Sequence, residues 1–357
     1  MNNRQGTQEG QRHEGRSERP DRNLALDLVR VTEAAALASG RWLGKGNKKA
    51  GDRAAVEAMR LFFKTVDVDG RIVIGEGEKD KAPMLFNGEE VGNGEGPEVD
   101  VAVDPVEGTN LLALGRPNAI AVVGLSPKGT MYDPGPSFYM QKLAVPNQAR
   151  EVVDLDAPVQ ENLRRTAKAL GKDIADLVVF VLDKPRHQGL IRRIREAGAS
   201  IQLHTDGDVA GSLMAVDQTS EVDIMMGTGG TPEGVLSACA IRSTGGEMLA
   251  RLDPQSEEEE DRLREAGCDL KEILNVDRLV SSDNTFFAAT GISGGTFLRG
   301  VRYTGLGAST HSLVLRGRSG TVRYIESHHR FEKLMQYSAI DYDGQRAAPD
   351  RRAKRGR

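Results

Sequence analysis

The stretch Val99–Thr109 gathers residue types that bind hard cations. Alternating apolar residues end in Asp104, which Pro105 and Glu107 follow. The alternation predicts a β-strand, and Pro105 predicts its end because proline has no N–H for the strand ladder. Two carboxylates and the hydroxyl of Thr109 therefore stand on one turn, where their oxygens could bind a hard cation and its phosphate. A solvated strand–turn–helix junction, with Asp104 as a cap, explains the same residues.

Other acidic loops repeat this arrangement. Asp52, Glu76 and Glu233 also stand near Gly or Pro beside predicted strands and helices. Carboxylates buried together without a cation repel one another at a cost of several kcal/mol, so a cluster of them predicts bound divalent metal. Ligation by oxygen alone favours Mg²⁺ or Mn²⁺ over zinc. Each loop by itself also fits a cap or an exposed turn, with Asp52 a good N-cap, and the sequence alone does not prove that the loops converge.

Basic residues suited to phosphate also lie in loops. Lys184–Arg186 directly follows a predicted strand, and Lys48 lies in a Gly-rich loop. Arginine contacts phosphate through two N–H groups, and lysine acts as a point charge. Gly229–Gly230 precedes a predicted helix and offers backbone N–H groups, which is a weak signal for an anion. Ordinary surface cations explain any one of these residues, but acids and bases together predict a site for a phosphorylated small molecule.

Composition excludes several classes of protein. The net charge of −4 argues against a nucleic-acid binder, and no apolar run approaches the ~20 residues of a membrane span. The N-terminus has no signal-peptide core. Cys239 and Cys268 are the only cysteines, too few for a disulfide framework or a thiolate zinc site. We therefore expect a cytoplasmic protein without nucleic-acid or membrane partners.

The elements that position these residues change in pattern near the middle of the chain. Residues 1–21 are polar and predict a disordered tail. Residues 22–155 predict an α+β lobe, and residues 156–335 predict a second lobe in which strands and helices alternate. Residues 336–357 predict a C-terminal segment with a basic, disordered tail.

Apolar periodicity locates the main elements within these lobes. Helices are predicted over 24–42 and 54–63. Strand–helix units beginning at 177–182, 200–204 and 222–226 predict a largely parallel sheet with ligand loops at the strand C-termini. The later predicted strands are 285–290, 297–303 and 309–325, the last with a hairpin at 318–320.

A family resemblance gives these motifs a common meaning. The run Asp104-Pro-Val-Glu107-Gly-Thr109 resembles the Asp-Pro-(Ile/Leu)-Asp-Gly-Thr signature of metal-dependent, lithium-sensitive sugar and inositol phosphatases. Glu107 stands where inositol monophosphatases have Asp. With that departure, the chain over residues 22–330 is similar to class II fructose-1,6-bisphosphatases of the GlpX type. The other matching motifs are Ile74–Glu78, Ala82–Leu85, Lys184–His187, Asp206–Asp208 and Pro232–Gly234.

The resemblance implies a fold and a reaction. The fold would be α/β with an α+β part, layered α/β/α/β/α, with the active site between two lobes. The lobe of residues 22–155 would bind metal, and that of residues 156–335 would bind sugar phosphate. The reaction would be hydrolysis of the 1-phosphate of fructose 1,6-bisphosphate in gluconeogenesis, by in-line attack of water activated by two or more Mn²⁺ or Mg²⁺ ions.

The resemblance also implies roles for individual residues. Asp52 and Glu76 would bind one metal ion, and a second would be bound by Asp104, Glu107 and Glu233. The catalytic centre would include Lys48, Asp80 and Thr109. Thr109 would orient or deprotonate the water, with Asp80 or Glu76 as the proton acceptor. The substrate-binding residues would be Glu107, Gly108, Thr109, Tyr139, Lys184, Pro185, Arg186, Asp206, Gly207, Asp208 and Gly230, of which Lys184 and Arg186 would bind the distal phosphate.

Several alternatives stay open. The enzyme could also hydrolyse sedoheptulose 1,7-bisphosphate, which the sequence does not decide. Glu107 and the Lys-Pro-Arg loop count against an inositol-monophosphatase-like or nucleotide phosphatase. The complete set of acids counts against a phosphosugar-binding regulator on an inactive scaffold, and only the basic C-terminal tail favours a nucleic-acid module. By analogy with the family we expect a homo-oligomer, either a dimer or a tetramer.

Overall fold

Two β-sheets and the helices around them make up the fold of the protein. The structure is a computed structural model, and it describes residues 22–77 and 84–335. The strands are β1 (Asp69–Ile74), β2 (Glu90–Val91), β3 (Glu98–Glu107), β4 (Ile120–Pro127), β5 (Tyr139–Val145), β6 (Val178–Leu182), β7 (Ser200–His204), β8 (Ile224–Gly230), β9 (Glu247–Leu252), β10 (Phe286–Gly291), β11 (Arg302–Tyr303), β12 (Gly307–Arg316) and β13 (Thr321–Arg330). The helices are α1 (Ala25–Ser39), α2 (Lys48–Phe63), α3 (Thr109–Leu114), α4 (Val159–Leu170), α5 (Gln188–Glu196), α6 (Asp208–Val216), α7 (Thr231–Thr244), α8 (Glu257–Glu265), α9 (Val276–Leu279) and α10 (Phe331–Leu334). None of these described helices is long and apolar enough to cross a membrane.

The two sheets differ in strand direction. The larger sheet has the order β11-β12-β10-β4-β3-β1-β2, and β13 pairs with β12. Its strands are antiparallel except for the parallel pair β1 and β3. The smaller sheet has the order β7-β6-β8-β5-β9. Here β6 is parallel to β7 and β8, whereas β5 is antiparallel to β8 and β9.

Three apolar clusters fix the order of the layers. The first packs α1 and α2 on one face of the larger sheet. The second joins the opposite face of that sheet, through α6 and α7, to one face of the smaller sheet. The third packs α4 and α5 on the outer face of the smaller sheet. The layers are therefore α/β/α/β/α, and the predicted fold class is confirmed.

Small residues allow α6 and α7 to lie between the sheets. Every residue of α6 is buried, as expected for a helix that is covered on all sides. A Cβ at Gly211 of α6 would come within 2.3 Å of the Phe180 ring, and one at Gly124 of β4 within 2.9 Å of Cys239 Sγ in α7. Larger residues at these glycines would force the middle layer away from the sheets.

Two predictions about local structure around the acidic loops are wrong. The second helix begins at Lys48, because the Asn47 side chain accepts the Ala50 N–H and caps it. Asp52 therefore lies inside α2 and is not its N-cap. The predicted strand does not end at Pro105, since β3 continues to Glu107. A bulge between Asp104 and Glu107 shifts the register with β4, and proline is tolerated there because the ladder needs no N–H from it.

The other strand predictions are largely confirmed. The predicted strands of the second lobe match β6, β7 and β8, which are parallel to one another. The smaller sheet as a whole is mixed, because β5 and β9 join it antiparallel, and β9 was not predicted. The hairpin of β12 and β13 is confirmed. The predicted strand over 297–303 is reduced to β11, because the chain before it forms a tight loop in which Gly300 packs against the backbone of Gly294.

The sheets divide the chain differently from the predicted lobes. β5 precedes the predicted boundary at residues 155 and 156 but belongs to the smaller sheet, and β10 to β13 follow it but belong to the larger one. The lobe boundary stays a prediction. The predicted tails, residues 1–21 and 336–357, lie outside the described residues.

Candidate active site

A cavity of about 430 Å³ collects acidic loops that are separate in the sequence. Its walls come from α2, from the segment after β1, from the end of β3, from α3 and from the first turn of α7. The predicted site residues that line it are Lys48, Asp52, Glu76, Asp104, Glu107, Gly108, Thr109, Asp206 and Glu233. The convergence that the sequence left open is therefore present in the fold.

Strand pairing explains why two of these loops meet. β1 and β3 are parallel neighbours, with Ile72 opposite Val101, so both strands end at the same edge of the larger sheet. Glu76 follows β1, and the bulge at the end of β3 runs from Asp104 to Glu107. A bulge changes the direction of side chains at a strand end. Three carboxylates from two neighbouring strands consequently line one cavity.

Asp104, Glu107 and Glu233 form the tightest part of the site. One carboxylate oxygen from each lies within 4.8 Å of the other two. The Val106 N–H donates to Asp104 Oδ1 at 3.0 Å, and the Val209 N–H donates to Glu107 Oε1 at 2.9 Å. Glu233 Oε2 is buried, and no described residue donates a hydrogen bond to it. An unpaired buried carboxylate oxygen is costly, so these three residues fit a hard divalent cation.

Burial disfavours the charged forms of the five predicted metal-binding acids, and repulsion between carboxylates adds to this effect at four of them. Burial raises the pKa of Glu76 to about 7, and repulsion from Asp52 and Glu233 adds to this shift. Burial, then repulsion from neighbouring carboxylates, raises the pKa of Asp104 and of Glu107 well above the usual range. Burial is also the main cause of the raised pKa of Asp52 and of Glu233. The cavity is therefore short of positive charge, which a divalent cation would supply.

The predicted Asp206–Asp208 motif is divided between two environments. Asp206 lines the cavity and accepts a hydrogen bond from Asn110 Nδ2 at 3.0 Å. Gly207 has φ +95°, a left-handed conformation that glycine adopts readily and that turns the chain into α6. Asp208 is 5% exposed, does not line the cavity, and its carboxylate pairs with Lys142. Only Asp206 of this motif therefore reaches the acidic cavity.

The Lys184–Arg186 segment lies outside the acidic cavity. It enters a short turn before α5, and Arg186 lines a separate cavity of about 320 Å³. Arg186 Nη2 and Nε donate to the Thr228 carbonyl at 2.8 and 3.1 Å, and its guanidinium lies 5.1 Å from the centre of the Tyr139 ring. Tyr139 pairs in register with Gly230, which immediately precedes α7 and its Glu233. The basic segment is thus linked to the acidic cavity through β5 and β8.

The positions of the remaining predicted residues can now be stated. Asp80, a predicted catalytic residue, lies outside the described residues. The predicted substrate-binding residues that do not line the acidic cavity are Tyr139, Lys184, Pro185, Arg186, Gly207, Asp208 and Gly230. A ligand that contacts both groups would have to extend from the acidic cavity toward β5 and β8.

Sequence reasoning missed three residues that support the site. Asn110 donates a hydrogen bond to the Asp206 carboxylate, and Lys142 donates one to the Asp208 carboxylate. His187 Nδ1–H donates to the Leu182 carbonyl at 2.6 Å, and its Nε2 accepts the Thr228 N–H at 2.8 Å, which links the basic segment to β8. A signal for Lys142 was present in the sequence, because it stands among the apolar residues of β5 and lysine is rarely buried without a partner.

Comparisons with known proteins agree with these motifs. Residues 22–329 match the family model described as bacterial fructose-1,6-bisphosphatase, glpX-encoded. The fructose-1,6-bisphosphatase class 2 of Haemophilus influenzae is 45% identical over 327 residues, which cover 88% of this chain and 98% of that protein. The fructose-1,6-bisphosphatase 1 class 2 of Escherichia coli K12 is 44% identical over 325 residues, covering 87% and 96%. The resemblance seen in the motifs is thereby confirmed, and the chain belongs to the family of bacterial, glpX-encoded fructose-1,6-bisphosphatases.

Proposed function

We propose that this chain is a phosphoric monoester hydrolase that converts fructose 1,6-bisphosphate to fructose 6-phosphate and phosphate, in gluconeogenesis. Family membership and the names of the relatives support this reaction. The observation that carries the proposal in the structure is the convergence of separate acidic loops on one cavity, with a buried Glu233 oxygen to which no described residue donates a hydrogen bond. Such a cavity suits a reaction that needs divalent cations beside a phosphate ester.

The acids of the cavity would bind Mn²⁺ or Mg²⁺. Asp104, Glu107 and Glu233 are the proposed ligands of one ion, and Asp52 and Glu76 are those of another. The donor set is oxygen only, which suits these two metals better than zinc. When bound, the ions would neutralise the phosphate ester and supply a nucleophilic water.

Other residues of the cavity would act on the phosphate and on protons. Lys48, at the first turn of α2, would bind the scissile phosphate through its ammonium. Thr109, at the first turn of α3, would orient or deprotonate the attacking water. Glu76 or Asp80 would accept the proton. Phosphoryl transfer depends chiefly on positioning and charge stabilisation, which these groups provide.

The basic segment would bind the phosphate that is not cleaved. Lys184 and Arg186 supply the charge, and Tyr139 packs beside Arg186. Arginine suits bidentate contact with a phosphate, and a contact far from the reacting atoms improves positioning of the scissile bond. A substrate with two phosphates fits this division of the site better than a monophosphate does.

An assay of phosphate release tests the proposed reaction. Fructose 1,6-bisphosphate with Mn²⁺ or Mg²⁺ is expected to give one phosphate per molecule and fructose 6-phosphate, and a chelator should stop the release. Absence of metal-dependent release would refute the proposal. Parallel assays with sedoheptulose 1,7-bisphosphate and with an inositol monophosphate distinguish a bifunctional enzyme and an inositol-monophosphatase-like enzyme from the proposed one.

The raised pKa of Glu76 predicts how metal binding depends on pH. A carboxyl group whose pKa is higher in the folded chain stabilises the metal-free protein at low pH, and this contribution is lost as the pH rises through about 7. Mn²⁺ must displace the same proton, so its affinity should increase over that interval. We expect the rise in melting temperature caused by Mn²⁺, relative to EDTA, to grow between about pH 5 and about pH 8. A rise that stays constant across this range would contradict the prediction.

Assembly and compartment also remain proposals. We expect a homo-oligomer, a dimer or a tetramer, and sedimentation equilibrium of the purified chain measures its mass directly. The described cysteines, Cys239 and Cys268, are both free, which suits a reducing compartment such as the cytoplasm.

A further inference from the structure

Lys142 is a buried lysine in the middle of β5. Its side chain is 0% exposed, and its ammonium lies 2.5 Å from Asp208 Oδ2. The same nitrogen donates a hydrogen bond to the Gly230 carbonyl at 2.7 Å. A buried charge is tolerated only when an opposite charge and hydrogen bonds compensate it, and both are present here.

The partners of Lys142 belong to the helices that position two of the proposed metal ligands. Asp208 is the first residue of α6, and the N–H of the next residue, Val209, holds Glu107 Oε1. Gly230 directly precedes α7, which has Glu233 in its first turn. Lys142 therefore links the N-termini of both helices without itself lining the acidic cavity.

Close packing leaves Asp208 little freedom. A Cβ at Gly229 would lie 1.8 Å from Asp208 Oδ2 and 3.2 Å from Lys142 Nζ, so the β8 backbone lies directly against the ion pair. A Cβ at Gly234 would lie 3.6 Å from Lys142 Cδ, which encloses the lysine stem from α7. The carboxylate of Asp208 is consequently committed to Lys142 and does not line the acidic cavity.

The ion pair nevertheless lies beside two of the proposed metal ligands. The Val209 N–H, one residue after Asp208, donates to Glu107 Oε1 at 2.9 Å. The Gly230 carbonyl, which accepts from Lys142, lies three residues before Glu233. The opposite charges of the pair therefore act in opposite directions on a cation held by these acids.

We propose that Lys142 acts through Asp208, as the permanent counter-charge of that carboxylate beside the metal site. It holds the Asp208 carboxylate out of the cavity and offsets its charge, so that Asp104, Glu107 and Glu233 alone face the cation. This inference rests on the proposed function, because it assumes that these acids bind a divalent ion. It also gives Asp208 a role other than the substrate contact that the family resemblance implies.

Opposite substitutions within the pair should have opposite effects on metal affinity. Lys142→Met removes the ammonium and leaves Asp208 as a further uncompensated acid beside the cation, so Mn²⁺ should bind more tightly. Asp208→Asn keeps the shape of the side chain but leaves the ammonium uncompensated, so Mn²⁺ should bind more weakly. Because both charges are buried and close to the site, we expect about a tenfold change in the dissociation constant in each direction.

Titration calorimetry with Mn²⁺ and melting curves in EDTA and in Mn²⁺ test this inference on the full chain. In Lys142→Met the metal-free protein should lose more stability than the Mn²⁺-bound protein, so the melting shift caused by Mn²⁺ should grow. In Asp208→Asn that shift should shrink. Lys172→Met and Asp223→Asn provide a control away from the site, because Lys172, whose side chain is 40% exposed, and Asp223 form another lysine–aspartate pair, at 2.6 Å, and neither lines the acidic cavity.

The results separate a counter-charge from an ordinary structural ion pair. Loss of an ordinary structural pair would lower the melting temperature equally in EDTA and in Mn²⁺ and leave the Mn²⁺ dissociation constant unchanged. That result would overturn the proposal, and so would a change of the dissociation constant in the same direction in both variants. If Lys142→Met does not fold, Asp208→Asn decides alone, and unchanged Mn²⁺ affinity there also overturns it. Failure of the wild-type chain to bind Mn²⁺ would instead refute the proposed metal-dependent function.

Discussion

Asp104→Asn is expected to lower metal-dependent phosphate release by about a thousandfold or more while the chain stays folded. Asparagine keeps the size of the side chain and the oxygen that accepts the Val106 N–H at 3.0 Å. It replaces the other carboxylate oxygen with an amide NH₂, which has no lone pair for a cation. Release of phosphate from fructose 1,6-bisphosphate with saturating Mn²⁺ measures the loss.

The metal-free form of Asp104→Asn should be more stable than the metal-free wild type, although its activity falls. The pKa of Asp104 is raised by burial and then by repulsion from Glu76 and Glu233, so its charge is unfavourable in the metal-free chain. A neutral asparagine removes that repulsion, and the melting temperature in EDTA should rise while the increase caused by Mn²⁺ shrinks. Asp261→Asn on the exposed face of α8 is the control and should alter neither quantity. Near wild-type activity in Asp104→Asn would remove Asp104 from the proposed metal ligands.

Local chemistry was sufficient to find the acids but not to show that they meet. The run from Asp104 to Thr109 can be recognised in the sequence because a strand, a proline and a glycine turn are all local signals. The approach of Glu233 depends on the packing of α7 between two sheets, which no local signal records. The five-layer order became predictable only from the family resemblance, since periodicity identifies elements and not their neighbours.

The start of the second helix, predicted at residue 54 but observed at Lys48, shows the limit of local preference. Asn47 and Asp52 are both good N-cap residues, and each precedes a helical pattern. The helix begins after Asn47, and this extra turn moves Asp52 from a cap to a helical position from which it lines the cavity. Because asparagine and aspartate are equally good N-caps, capping preference could not show that Asn47 caps the helix and that Asp52 is free to be a proposed metal ligand.

Lys142 was missed for a related reason. Its partner Asp208 lies 66 positions away in sequence, and the two meet because β5 joins the smaller sheet beside β8. The predicted boundary at residues 155 and 156 places Lys142 in the first lobe and Asp208 in the second, so nothing in the sequence indicated that they pair. Antiparallel addition of β5 to three parallel strands is a tertiary outcome that strand periodicity does not encode.

Gly230 offers a test of the site that does not depend on changing any acid. Its backbone angles, φ −67° and ψ 141°, are accessible to every L-residue, so a side chain there causes no backbone strain. Space is the obstacle, because a Cβ would lie 1.7 Å from Glu233 Oε2 and 2.5 Å from Glu233 Cδ. The flexible Glu233 side chain would have to turn away, while the Gly230 carbonyl could still accept the hydrogen bond from Lys142.

Gly230→Ala should therefore impair function far more than folding. We expect activity and Mn²⁺ affinity to fall by about 10- to 100-fold, because Glu233 loses its position beside Asp104 and Glu107, while the melting temperature in EDTA changes little. Phosphate release and Mn²⁺ calorimetry measure the two losses. Gly305→Ala is the matched control, since a Cβ there meets no atom within 4 Å, and it should behave as wild type. Full activity in Gly230→Ala would mean that the reaction tolerates displacement of Glu233, which a ligand of an essential metal ion cannot do.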